Sequence, residues 1–169
     1  LILEYSVCAS TVSHGWSKYF QNLAGIFGLK VPLLFSNSPF DYDANTGTFT
    51  KAGSGDTSIN LTTFSNNGTL TLNGSGVFGL TVSSLSSSSG PFTANSGTTL
   101  RFAGGSFDLS GNLSGAGKTD FQGGAVTEHA TYNVTGITSV SGGTLNLNSD
   151  ATLTSLGTLT ISSGTLNLS

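Results

Sequence analysis

Charge is what this sequence has least of. Asp, Glu, Lys and Arg together make up 8% of its 169 residues, about a third of the usual share. With five Lys and Arg there is no basic field, which argues against nucleic acid as a partner. Cysteine is nearly absent. Cys8 stands alone, so no disulfide and no thiolate metal site can form within the chain. One cysteine does not fix the redox compartment. His14 and His129 are too few for a histidine metal centre. No apolar run is long enough for a membrane span. Residues 1–12 are fairly apolar, but no basic segment precedes them and Glu4 interrupts them, so they do not read as a signal peptide. Helix formers are scarce as well.

What is present is small and polar. There are 27 Ser, 24 Thr and 24 Gly. Apolar residues are interleaved among them at regular intervals, and the net charge is only -3, so the composition is not that of a disordered chain. Hydroxyls and amides must provide solubility. Thr, Val, Leu and Phe suit pleated strands, and the length fits one domain with a sizeable core.

The last 28 residues carry the organising phrase. Gly143-Thr-Leu-Asn-Leu, Gly157-Thr-Leu-Thr-Ile and Gly164-Thr-Leu-Asn-Leu repeat a strict apolar–polar alternation. Period two places Leu145, Leu147, Leu166 and Leu168 on one inward face and the intervening Thr and Asn on the other. Comparable phrases open at Gly47, Gly68, Gly97, Gly117, Gly143 and Gly164, with intervals of 21, 29, 20, 26 and 21 and a mean of 23.4. Such periods mark solenoids or blade arrays. Further strands are expected at Thr57–Phe64, Gly79–Ser83, Ser106–Ser110, Ala125–Val134 and Gly136–Val140, separated by glycine-containing turns. Two or three short strands per interval make a coil of a parallel β-helix. The pattern predicts an inward ladder of Phe49, Leu70, Leu100, Leu145 and Leu166, with corner glycines supplying positive φ. Ser83–Gly90 reads as the longest loop. A β-sandwich is the alternative fold, since it also shows short alternating strands.

Residues 1–40 differ. They hold Trp16, Pro32 and Pro39 and no Gly-Thr phrase. Trp16, Phe20, Leu23 and Phe27 follow helical spacing, so residues 1–40 are expected to be either a cap on one end of the stack, irregular or with a short helix over 16–28, or a segment foreign to it. A membrane-surface or partner-binding helix is the competing role, but its polar side lacks a basic cluster. The domain boundary is placed at 40/41, with the solenoid over 41–169. The Leu1 start and the ending inside a repeat phrase point to a piece of a longer polypeptide.

Candidate chemistry is sparse. Asp108 and Glu128 are 20 residues apart, close to one coil, with Asp120, Arg101 and His129 nearby in sequence. Two carboxylates at a set separation are what glycoside cleavage requires, so these three acids are the weak catalytic candidates. Solvated surface acids are the competing reading and the preferred one. Asp41, Asp43 and Asn45 resemble the start of a calcium loop whose remaining ligands are missing. Gly-Ala-Gly-Lys-Thr at 115–119 echoes a phosphate loop without the strand–helix switch it needs. No metal, cofactor or catalytic site is therefore assigned. Thr48-Phe-Thr50, Thr69-Leu-Thr71, Thr152-Leu-Thr154 and Thr158-Leu-Thr160 could form the hydroxyl array of an ice-binding solenoid, although Thr-x-Asn at 144–146 and 165–167 interrupts it. Asn60, Asn67, Asn73, Asn112, Asn133 and Asn167 each open an Asn-x-Ser/Thr sequon.

From Asn45 onward the chain resembles the Gly/Ser/Thr-rich repeats of large bacterial surface and secreted proteins of the adhesin, autotransporter-passenger and filamentous-haemagglutinin type. The resemblance is carried by Asn-Thr-Gly-Thr-Phe-Thr-Lys (45–51), Phe-Ser-Asn-Asn-Gly-Thr-Leu-Thr-Leu (64–72), Leu-Ser-Gly-Asn-Leu-Ser-Gly-Ala-Gly (109–117), Thr-Tyr-Asn-Val-Thr-Gly (131–136) and Ser-Gly-Gly-Thr-Leu-Asn-Leu (141–147). It covers about three-quarters of the chain and implies a right-handed parallel β-helix, an extracellular or cell-surface location, and a role as stalk, adhesin or fibre. The expected function is a non-enzymatic structural or adhesive segment, a stiff stalk or a self-assembling filament subunit. Its expected partners are another copy of itself end to end, or the rest of a longer chain, and surface glycans. A polysaccharide-degrading or polysaccharide-binding β-helix is the alternative class.

Overall fold

Alternation of apolar and polar residues along four-residue phrases makes strands with one dry and one wet side. In the computed structural model, which describes residues 44–169, nineteen such strands occur. They run three to a coil. The first coil holds β1 (Ala44–Asn45), β2 (Thr48–Lys51) and β3 (Thr57–Leu61), and the second holds β4 (Ser65–Asn66), β5 (Thr69–Leu72) and β6 (Gly76–Val82). The third has β7 (Ser86–Ser88), β8 (Phe92–Ala94) and β9 (Thr98–Gly104); the fourth has β10 (Ser106–Leu109), β11 (Leu113–Gly115) and β12 (Lys118–Phe121). Next come β13 (Ala125–Glu128), β14 (Thr131–Val134) and β15 (Ile137–Val140), then β16 (Thr144–Leu147), β17 (Thr152–Ser155) and β18 (Thr158–Ile161), and β19 (Thr165–Leu168) opens another coil.

Each strand pairs in parallel with its counterpart one coil away, which builds three walls. Wall 1 contains the pair β1–β4 and the five strands β7, β10, β13, β16 and β19; wall 2 runs from β2 to β17 and wall 3 from β3 to β18, six strands each. This is an all-β parallel β-solenoid of about six turns, not a sandwich. The helix expected over 16–28 and the cap expected over 1–40 lie outside the described residues.

The core runs down the axis. Wall 2 contributes Leu70, Phe92, Leu113 and Tyr132, wall 3 contributes Leu80, Phe102, Phe121 and Val140, and wall 1 contributes Phe107, Val126 and Leu145, all buried. Phe102 is its aromatic centre. It stacks on Phe121 at 5.5 Å and 6° and meets Phe107 edge-on at 4.9 Å. Burying each such side chain contributes roughly 1.5–3 kcal/mol, so stacking stabilises coils that could not stand alone.

Three expectations need correction. The single ladder Phe49, Leu70, Leu100, Leu145, Leu166 does not exist. Phe49 pairs with Leu70 on wall 2 and Leu145 with Leu166 on wall 1, while Leu100 belongs to wall 3. Every corner makes the same demand, a compact residue followed by an outward polar and an inward apolar one, so the Gly-Thr-Leu phrase recurs at all three. Counting phrases therefore mixed walls and gave too long a mean. The inter-coil offset is 21 at Asn45–Asn66, 22 at Phe64–Ser86 and 19 at Arg101–Asp120.

Ser83–Gly90 is not simply a loop. Its centre is β7, with Ser86 and Ser88 buried. Their hydroxyls accept the Phe64 and Asn66 backbone N–H groups at 2.7 and 2.8 Å. Inward serines thus satisfy donors of the coil before them.

The glycine stack Gly47, Gly68, Gly90, Gly111 is needed for space rather than for positive φ. A β-carbon on any of the last three would run into the carbonyl oxygen of the glycine one coil earlier. Left-handed backbone is used at other corners, as at Gly124 (φ 71) and Gly157 (φ 57). At the last strands, Leu145 and Leu147 are buried as expected and Leu166 packs on the core. Leu168 sits in register with Leu147 yet remains 62% exposed, because the described residues place no coil beyond it.

Candidate functional site

The three candidate carboxylates fall into three environments. Asp108 and Glu128 stand on neighbouring strands, but the register pairs Asp108 with Thr127 and Leu109 with Glu128. A one-residue offset in a period-two strand sends the two side chains to opposite sides of wall 1. Asp108 is outside and Glu128 is inside.

Asp120 lies outside wall 3, in register between Arg101 and Ser139. Its Oδ2 accepts Arg101 Nε–H at 2.9 Å, its Oδ1 accepts the Ser141 hydroxyl at 2.9 Å, and Lys118 Nζ is 3.7 Å away. Burial pushes its carboxyl up, but hydrogen bonds from Ser139, Ser141 and Arg101 with the charge of Lys118 outweigh this and hold it below its ordinary range. It is an ionised staple across three coils.

Glu128 is fully buried, in register between Leu109 and Leu147. One oxygen, Oε1, accepts the Ala130 N–H at 3.0 Å, and Oε2 has no partner. Burial pushes the carboxyl up to about 8, offset only in part by that hydrogen bond and by His129. At neutral pH it is a protonated acid inside the solenoid. Deeper in the same coil, the Tyr132 hydroxyl shares a 2.9 Å hydrogen bond with Thr138, and burial raises the phenol. Thr119 Oγ1, below Thr138, has no partner.

His129 follows Glu128 but points outward. Its Nδ1 is hydrogen-bonded to Asp150 Oδ2 at 2.8 Å. Its Nε2 is 2.8 Å from Asp108 Oδ1, an ion-pair distance whose direction is off that of a good hydrogen bond. The Asp150 bond leads in raising the imidazole above its ordinary value, and the charges of both aspartates add to it. Asp150 was not among the sequence candidates. Part of the signal was there, because His129 and Asp150 are 21 residues apart, close to one coil, but Asp108 is in register with Thr127, two residues before His129.

The remaining motifs are structural. Gly115–Thr119 spans the corner between β11 and β12, so no helix follows the glycines. Asp41 and Asp43 lie outside the described residues, while Asn45 donates to Asn66 Oδ1 at 2.7 Å and Asn66 donates to the carbonyls of Gly90 and Pro91. Asn45, the one described residue of that motif, is thus part of an amide ladder between coils. Among the described residues, no group of His, Asp and Glu has the arrangement of a metal site. Of the sequon residues, Asn67, Asn73, Asn112 and Asn167 bond between coils, and Asn60 borders a shallow depression with Leu61, Val82 and Ser83.

The walls also sort the Thr pairs. Thr48/Thr50, Thr69/Thr71 and Thr152/Thr154 lie on wall 2, and Thr158/Thr160 lies on wall 3. The interrupting Thr144-x-Asn146 and Thr165-x-Asn167 belong to wall 1, where Asn167 donates to Asn146 at 2.7 Å. On wall 2, Thr50, Thr71, Thr93, Ser114 and Asn133 form one outward, uncharged column in register.

Comparison with protein-family models, curated proteins and solved structures finds no match. The likeness to surface-protein repeats is therefore supported at the level of the β-solenoid.

Proposed function

We propose that this chain is a non-enzymatic structural and adhesive segment of an extracellular bacterial surface protein, a stiff β-helical stalk or filament subunit. The observation that supports it is the pair of six-stranded parallel walls, 2 and 3, that run through six coils around one apolar core. Such a stack resists bending because each coil is hydrogen-bonded to the next along its walls. Exposed Thr, Ser and Asn give many weak contact points for surface glycans, which suits multivalent adhesion. Asp120 is engaged by Arg101 and Ser141, and Glu128 faces the core, so neither is free to attack a sugar from outside. Antibodies against residues 44–169 should label intact source cells or their medium; label confined to the cytosol overturns the surface role. Electron microscopy over a concentration series separates the two forms, since only a filament subunit gives rods that lengthen.

One observation favours a second reading. Wall 2 carries three of the four Thr-x-Thr pairs, on its first, second and sixth strands, and a column of uncharged polar side chains in register from Thr50 to Asn133, and an ice-binding solenoid presents a flat hydroxyl face of related kind. Inhibition of ice recrystallisation that is lost in Thr71→Tyr/Thr93→Tyr supports it, and an inactive unmodified chain ends it.

A further inference from the structure

We propose that the corner built from Asp108, Glu128, His129 and Asp150 is a proton-operated latch on the fourth to sixth coils, closed while Glu128 and His129 are protonated and loosened when they are not. The geometry of the imidazole carries the outer half. His129 has a carboxylate oxygen 2.8 Å from each ring nitrogen, Asp108 on one side and Asp150 on the other. A neutral imidazole has one N–H, so one nitrogen would hold a lone pair 2.8 Å from a carboxylate oxygen. Only the imidazolium suits both partners, and in that form it ties the fourth coil to the sixth through the fifth.

The inner half is Glu128. Its neighbours along the stack are Leu109 and Leu147, and the strands that carry them, β10 and β16, bring it no cation. The titratable groups nearby are His129 on the other side of the wall and Tyr132, which stays neutral. An ionised Glu128 would keep one hydrogen bond, from Ala130, and leave Oε2 charged and unpaired among apolar side chains. Loss of both protons makes the corner two charges more negative, with the carboxyls of Asp108 and Asp150 on either side of the imidazole.

The sign follows from linkage. Both groups bind their protons more tightly in the folded chain, so stability falls as pH rises. Glu128 contributes from about 4.5, where an unfolded glutamate ionises, up to about 8. His129 contributes above 6.5.

The full chain has two glutamates, Glu4 and Glu128. Selective 13C labelling of glutamate carboxyls therefore gives two NMR signals, which Glu4→Gln assigns. The Glu128 signal should titrate near 8; a Glu128 signal that titrates below pH 6 overturns the latch. Urea unfolding from pH 5 to 9 should show a falling midpoint. Glu128→Gln, which keeps an acceptor for Ala130, should remove most of that fall, and His129→Gln a smaller part. A midpoint independent of pH, or an unchanged fall in both variants, overturns the proposal. If Glu128→Gln does not fold, the NMR titration of the unmodified chain decides.

Discussion

At the scale of single residues, position in the stack decides what a side chain is worth. Gly90 and Gly53 are both corner glycines with ordinary φ, but a β-carbon at Gly90 meets the Gly68 carbonyl and one at Gly53 meets nothing within 4 Å among the described residues. Gly90→Ala should cost roughly 1–3 kcal/mol through overpacking. Gly53→Ala should be neutral or stabilising by about 0.4–1 kcal/mol, because it only restricts the unfolded chain. Urea midpoints of the two variants check the contrast. Phe102 touches the rings of Phe92, Phe107 and Phe121, so Phe102→Ala should cost about 3–5 kcal/mol. Asp120 sets the acid limit. Its folded carboxyl ionises below the ordinary 3.8, so its contribution is present above that value and is lost as pH falls through the folded one. Asp120→Asn should flatten the drop in unfolding midpoint below pH 4.

At the scale of elements, β7 shows how a polar phrase enters a core. Ser86→Ala leaves the Phe64 N–H without its hydroxyl acceptor, and a buried donor so abandoned costs roughly 1–3 kcal/mol. Hydrogen exchange at Phe64 should quicken while that at Leu113, on another wall, stays slow. A change spread equally over both would mean that β7 does not act locally. Periodicity in the sequence located most strands but passed over this one, because Ser-Ser-Ser-Ser has no apolar side to betray its inward face. Likewise Glu128 follows the same alternation as Leu109 and Leu147, and only its register shows that a carboxyl occupies a core position.

At the scale of the whole molecule, the unit is the coil. Gly105 and Gly124 occupy equivalent corners, and Ser106 pairs with Ala125. Deleting residues 106–124 should therefore yield a folded solenoid, one coil shorter by about 4.7–4.9 Å. Deleting Asp120 alone should be far worse, since it turns the rest of β12 inside out. Circular dichroism and small-angle scattering of the two deletions test this. A one-residue deletion tolerated better than the full coil would contradict the stacked register.

The sequence by itself determined the class of this protein. Repeated alternation with glycine at the bends leaves few outcomes besides stacked strands, and the scarcity of charge already implied a hydroxyl-covered surface. The tertiary structure alone decided which repeats are neighbours. A local phrase encodes bend, outward residue and inward residue, and those demands are the same at all three corners, so nothing within one phrase names its wall. Coil length does that, and it drifts between 19 and 22 residues. The same drift separated Asp108 from Glu128 by one residue of register, putting one carboxylate in water beside His129 and the other in the core.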